Sequence, residues 1–357
     1  MTRVGERVVA GEDATVTTGA VPDELARIST DGEAPAWGDY TLFSWWSLPE
    51  EESFVVALDR AGNVVWYWMP DTSYVQSMRV SEDGTEILAL CAFVSPDPDA
   101  YLARIPLDGG DPTILPAPNA HHDLHEQDGT LAYLAADLRE LEGEEVLGDL
   151  LVEVSPDGEQ TTVWDAFEDW PVTQRDGWDK EPADWTHANG LGYTPDGDAW
   201  MVSLYYDKAI VALERGTGAQ VWKLGGIEGD FALVGDDAFF QRQHAPSWVD
   251  GELLLFDNGY DADTSRAVQY ALDRDAGTAT LTWAYVPAGG EHTRIMGDAH
   301  RLPDGATVVS WGELGYLDVI DAEGQAVHRT SVSGDGGILG RIQRRETLYP
   351  TDSTFPG

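Results

Sequence analysis

Residues 151–164 read "LVEVSPDGEQTTVW": an apolar run with alternating character, an Asp-Gly turn, then a second β-rich run ending in tryptophan. That order of residues is a β-hairpin signature. It returns as "VVALDRAGNVVWYW" at 55–68, "IVALERGTGAQVWKLGG" at 210–226, "VQYALDRDAGTATLTWAY" at 268–285 and, without tryptophan, "LDVIDAEGQAVHRTSV" at 317–332. A second hairpin with its own turn stands between copies, as "EDG" at 82–84, "QDG" at 127–129, "PDG" at 195–197 and 303–305, and "VDG" at 249–251. One unit takes about 40–55 residues, the period of a four-stranded propeller blade. Units fall near 54–92, 101–135, 149–205, 209–257, 266–311 and 316–348, leaving "YTLFSWW" at 40–46 to close the ring. The expected fold is all-β, a six-bladed β-propeller with an active site in the central channel. Residues 40–357 would form this single domain, and residues 1–39 an N-terminal extension, partly ordered.

Composition narrows the function. A net charge of -43, from 64 acidic and 21 basic residues, opposes nucleic acid and anionic membrane surfaces as partners. The single cysteine, Cys91, lies in the apolar run "EILALCAFV", so no disulfide forms within the chain. No stretch approaches the ~18 apolar residues of a membrane span, and the first twenty residues lack the apolar core of a signal peptide.

Seven of the eight histidines lie between 121 and 300, three of them in "AHHDLHEQDG" at 120–129. Counting seven residues back from the glycine of each second-hairpin turn reaches Ser77, His122, His244 and Asp298. In "DWTHANGLGYTPDG" the turn is one residue longer, which brings Asn189 to that position with His187 two residues earlier. Equivalent positions in different blades lie at one height around the channel, so His122, Asn189, His244 and Asp298 are expected to converge on one axis. Strict strand alternation turns His121 and Asp123 away from His122, which argues against a metal cage built on that strand alone. A cage across blades from His122, His187, His244, Asp298 and His300 is the alternative, holding one divalent ion such as Zn or Ca. His328 and His292 read as surface and loop residues. The "DNG" at 257–259 reads first as a turn.

The segments "HHDLHEQDGTLAYLA", "DWTHANGLGYTPDGDAWMVSL", "AIVALERGTGAQVWKLGG" and "QHAPSWVDGELLLFDNG", in this order, resemble the bacterial arylsulfotransferase family from about residue 40 to 350. The resemblance implies a six-bladed propeller, a periplasmic or secreted location, no cofactor, and ping-pong transfer of a sulfuryl group between small aromatic substrates. It assigns the nucleophile to His244. His122 and His187 become the channel histidines that bind sulfate oxygens and assist proton transfer, with Asn189 in the same His-x-Asn motif. Trp185, Tyr205 and Tyr206 are candidates to hold an aryl ring. The chain departs from the family at Tyr205, where an arginine is common; Arg242, Arg294 and Lys208 are the candidates to replace it. Two other readings stand beside this one. The first is a metal-dependent hydrolase of sulfate or phosphate esters, with the channel histidines as ligands. The second is a non-catalytic binding propeller.

Overall fold

The computed structural model describes residues 2–4, 7–9, 21–33, 35–47, 51–71, 73–93, 95–172, 176–332 and 337–349. Six antiparallel sheets surround one axis, as the turn spacing implies. Blade 1 joins Gly337–Arg345 to Tyr40–Ser47, Glu52–Asp59 and Val64–Trp68. Blade 2 runs through Tyr74–Val80, Glu86–Ala92, Tyr101–Pro106 and Thr113–Pro116. Blade 3 runs through Ala120–Gln127, Thr130–Leu141, Glu144–Val154 and Gln160–Asp165, and blade 4 through Ala188–Tyr193, Ala199–Leu204, Ala209–Glu214 and Gln220–Gly225. Blade 5 has His244–Val249, Glu252–Asp257, Arg266–Asp273 and Thr278–Tyr285, and blade 6 has Asp298–Arg301, Thr307–Ser310, Tyr316–Ile320 and Ala326–Val332.

The count of six holds, but each unit read from the sequence straddles two blades. A unit opens on the outer hairpin of one blade and closes on the inner hairpin of the next. The ring closes through "YTLFSWW", although its partner is the C-terminal strand, with Tyr40 opposite Arg345 and Ser47 opposite Gly337. Two segments some three hundred residues apart thus close the ring in one sheet. Two outer edges carry an added strand, Ile28–Gly32 on blade 6 and Ala232–Val234 on blade 5, and Ala183–Asp184 pairs with the third strand of blade 3 at Val146 and Leu147. Each covers backbone groups that an open edge would leave unpaired.

Burial follows position in the blade. Glu52–Asp59 is buried on both faces except at its ends, because neighbouring blades pack on either side, whereas the outer strand Thr278–Tyr285 alternates partly buried and exposed residues after Ala279. Between blades 3 and 4 the core holds Trp164, Trp185 and Trp200, all fully buried. The turn glycines Gly84, Gly129, Gly251 and Gly305 have φ of 76°, 71°, 83° and 88°, the left-handed backbone that selects glycine.

Alternating charges cross the axis. Asp123 accepts hydrogen bonds from Ser77 Oγ at 2.7 Å, Arg79 Nη2 at 3.1 Å and the Leu191 backbone N–H at 2.7 Å. It also pairs with Arg341 Nη2, whose other amino nitrogen, Nη1, lies 3.5 Å from Asp298 Oδ1. Burial opposes ionisation of Asp123, but Arg341 and Arg79 outweigh it and hold the carboxyl well below its usual range. Blades 1, 2, 3, 4 and 6 are tied together at this one carboxylate and its partners.

Candidate active site in the central channel

A cavity of about 330 Å³ is lined by His122, His187, His244, Tyr205 and Tyr206. The rest of its wall is largely apolar, with Trp46, Tyr74, Phe93, Ile295, Met296 and Ile338. The three histidines come from blade 3, the entry to blade 4 and the start of blade 5. The rings of His122 and His187 are 4.8 Å apart, Tyr205 stands 5.1 Å from His187 and 6.0 Å from His244, all measured between centroids.

The local backbone explains this convergence. Each inner strand bulges as it enters the channel, between His121 and Leu124, between Ala188 and Gly190, and between His244 and Ser247. His122 and His187 adopt left-handed φ of 60° and 50°. Such backbone is uncommon for a residue of this size and concentrates at functional sites. The bulge overrides strand alternation. His121 does not turn away from its neighbour but sits with Nδ1 2.7 Å from His122 Nδ1, while Asp123 points at the axis.

The neighbours give each histidine its own protonation state. His244 Nδ1 lies 2.8 Å from Asn258 Oδ1, and Asn258 Nδ2 donates to the carbonyls of Thr293 and Met296, both at 3.0 Å. The Asn258 oxygen can therefore only accept, so Nδ1 carries the proton and Nε2 keeps its lone pair. Burial, with the charges of Arg341 and His187, depresses the His244 pKa to about 3 despite the Asn258 hydrogen bond. The ring is neutral, with a free lone pair on Nε2. His187 is the opposite case: burial works against its charge, but Asp184, 2.5 Å from Nδ1, raises its pKa. His122 is held neutral by burial and by the facing histidines. Its backbone N–H donates to Gln76 Oε1 at 2.6 Å.

Other expected site residues lie elsewhere. Trp185 packs against Phe167 in the core between blades 3 and 4 and has no face on the cavity. Asn189 is buried behind the wall, donating to the carbonyl of Gln243, the residue before His244. Arg242 lies over the rings of Tyr205, Tyr206 and Tyr260 and donates to the Tyr205 hydroxyl at 3.2 Å. Arg294 turns its side chain to solvent beside Glu313, and its carbonyl accepts from that same hydroxyl at 3.2 Å. Tyr205 thus presents a ring to the cavity and spends its hydroxyl outside it. Among the described residues, neither Lys208 nor any arginine lines the cavity. The cage across blades does not assemble: Asp298 is taken by Arg341 and the Ile342 N–H, and among the described residues no group of three His, Cys, Asp or Glu is placed to hold a metal ion. Asn258, Asp184, Asp149 and Gln76, which set the histidines, were not among the residues expected from the sequence.

The arylsulfotransferase (ASST) family model matches residues 33–343. No curated protein matches the chain. Among solved structures, a protein of unknown function from Bacteroides caccae is 15% identical, covering 86% of this chain and 98% of its own, with a TM-score of 0.52. A streptogramin B lyase is 11% identical, covering 90% of this chain and 100% of its own, with a TM-score of 0.50. At these identities both speak to the fold alone, a propeller.

Proposed function

The chain belongs to the arylsulfotransferase family, and from that premise we propose that it moves a sulfuryl group from an aryl sulfate to a phenol through a covalent intermediate on His244. The carrying observation is the His244–Asn258 pair, which leaves an unprotonated Nε2 on a buried, neutral ring at the cavity wall. Nε2 attacks sulfur and the bond from sulfur to the aryl oxygen breaks. Nδ1 keeps its proton and goes on donating it to Asn258 Oδ1, so the sulfated ring is a cation balanced by its own sulfo group. The departing aryloxide takes a proton from His122, and the second phenol later returns one there as it attacks sulfur. His187, held cationic by Asp184, faces the charge that builds on the sulfuryl oxygens. A cavity of about 330 Å³ is at the small end for ligand sites. That suits one aryl ester at a time, as a two-step exchange requires.

The charge inventory favours sulfate over phosphate esters. A sulfate monoester carries one negative charge, matched by one cationic histidine, whereas a phosphate monoester approaches two in a chain of net charge -43. With 4-nitrophenyl sulfate as donor and a second phenol as acceptor, nitrophenol should appear together with the new aryl sulfate. The matching phosphate should react at least about 100-fold more slowly. Comparable turnover of the phosphate would contradict this assignment.

The pH profile tests the division of roles. His244 stays neutral down to about pH 3, so its protonation does not limit the rate in the ordinary range. His187 works as a cation with a raised pKa, so activity should fall as pH rises through that pKa. Asp184→Asn removes the raising partner and should move this alkaline limb to lower pH in kcat profiles. A limb that stays in place would remove His187 from the charge-stabilising role.

A further inference from the structure

We propose that His121 is a positioning residue that makes His122 a reversible proton carrier, by exchanging one proton between their facing Nδ1 atoms above Asp149. The inference rests on the reading of His244 as nucleophile. His121 is buried, with Nε2 2.9 Å from Asp149 Oδ1 and Nδ1 2.7 Å from His122 Nδ1. Asp149 Oδ2 accepts from Thr186 Oγ1 and, at 2.7 Å, from the Ala188 N–H, leaving Oδ1 for His121. Facing an ionised carboxylate, His121 Nε2 carries hydrogen in every state of the pair.

Two states follow from valence alone. When the pair holds two protons, His121 Nδ1 accepts from His122 Nδ1–H, and His122 Nε2 offers a lone pair. When it holds three, His121 Nδ1–H donates to His122 Nδ1, and His122 Nε2 offers a hydrogen. The first state suits deprotonation of an incoming phenol, and the second suits protonation of a departing aryloxide. The proton balance closes: the donor half-reaction takes one proton from His122 Nε2, and the acceptor half-reaction returns it there. The proton on His121 moves through Nδ1 in the opposite sense each time. The arrangement also answers a charge problem. A charge left on His122 would face cationic His187 across 4.8 Å of ring separation. On His121 it rests against Asp149 instead.

The test changes His121 rather than Asp149, because Asp149 also holds Thr186 and Ala188 on either side of His187. His121→Gln keeps a polar contact but cannot pass a proton. Donor half-reaction rates are measured with 4-nitrophenyl sulfate, whose leaving group needs little protonation, and with phenyl sulfate, whose leaving group needs much. In His121→Gln the ratio of the two rates should rise by about 100-fold over the unaltered protein. His122→Gln should shift the ratio in the same sense, and the double variant should shift it no further. An equal fall on both donors, or no fall, would make His121 a packing residue and overturn the proposal. Mass analysis of the unaltered protein during turnover separates the two levels. Sulfuryl on His244 with an unmoved ratio defeats the relay alone, and no sulfuryl on His244 defeats the reading beneath it as well.

Discussion

His244→Ala should lower sulfuryl transfer by about 10⁴–10⁶-fold, the scale on which removal of a covalent nucleophile acts, while the propeller stays folded. Among the described residues the site offers no second group in the same state. His122 is neutral but couples to His121 through Nδ1, and His187 is drawn toward its cationic form by Asp184. Of these three histidines, His244 alone combines a protonated Nδ1 fixed from behind with a buried ring that resists protonation down to about pH 3. Its fall should therefore be in kcat, with little change in donor affinity. Transfer that persists in the alanine variant would move the chemistry to another residue.

His187→Gln should cost about 10²–10³-fold in kcat, the effect of losing one preorganised charge at a developing anion. The expectation is sharp because the usual alternative is missing. Among the described residues no arginine or lysine lines the cavity, and Tyr205 spends its hydroxyl on Arg242 and the Arg294 carbonyl. Glutamine can still donate a hydrogen bond in place of the ring, so the loss isolates charge from contact. The Michaelis constant should change less than kcat, because the interaction strengthens only as negative charge builds on the sulfuryl oxygens. A loss confined to the Michaelis constant would make His187 a ground-state binding residue.

The number of blades was legible because turns are local. An Asp-Gly pair needs only its own backbone, and repetition of the pair counts the sheets. The phase was not legible, since a chain of hairpins looks the same whether a sheet begins at its inner or its outer strand. Only the closing partner of Tyr40–Ser47, some three hundred residues away, fixes it. His122, His187 and His244 could be placed near one height by counting from turns, and all three line the cavity. Their orientations were a different matter. Alternation misdirected His121 because the strand bulges at that point, and neither His122 nor Asp123 keeps its place in the pleat. Trp185 and the two arginines Arg242 and Arg294 share the composition of ligand-binding residues, but blade packing, aromatic stacking and Glu313 occupy them. Asn258 was hidden by its own context. In "FDNG" an asparagine before glycine signals a turn, and only the fold shows that its amide nitrogen is anchored on two carbonyls and its oxygen aimed at His244. Arg341 sits in the C-terminal strand, outside every turn pattern, yet it reaches the axis to pair with Asp123.

The most direct measurement is mass analysis of the protein quenched during turnover of 4-nitrophenyl sulfate without acceptor. A gain of about 80 Da, one sulfuryl group, on the peptide that holds His244, discharged when a phenol is added, is the predicted result. Turnover with no such adduct, or an adduct on any other residue, would contradict the assignment of His244 as the residue that carries the group.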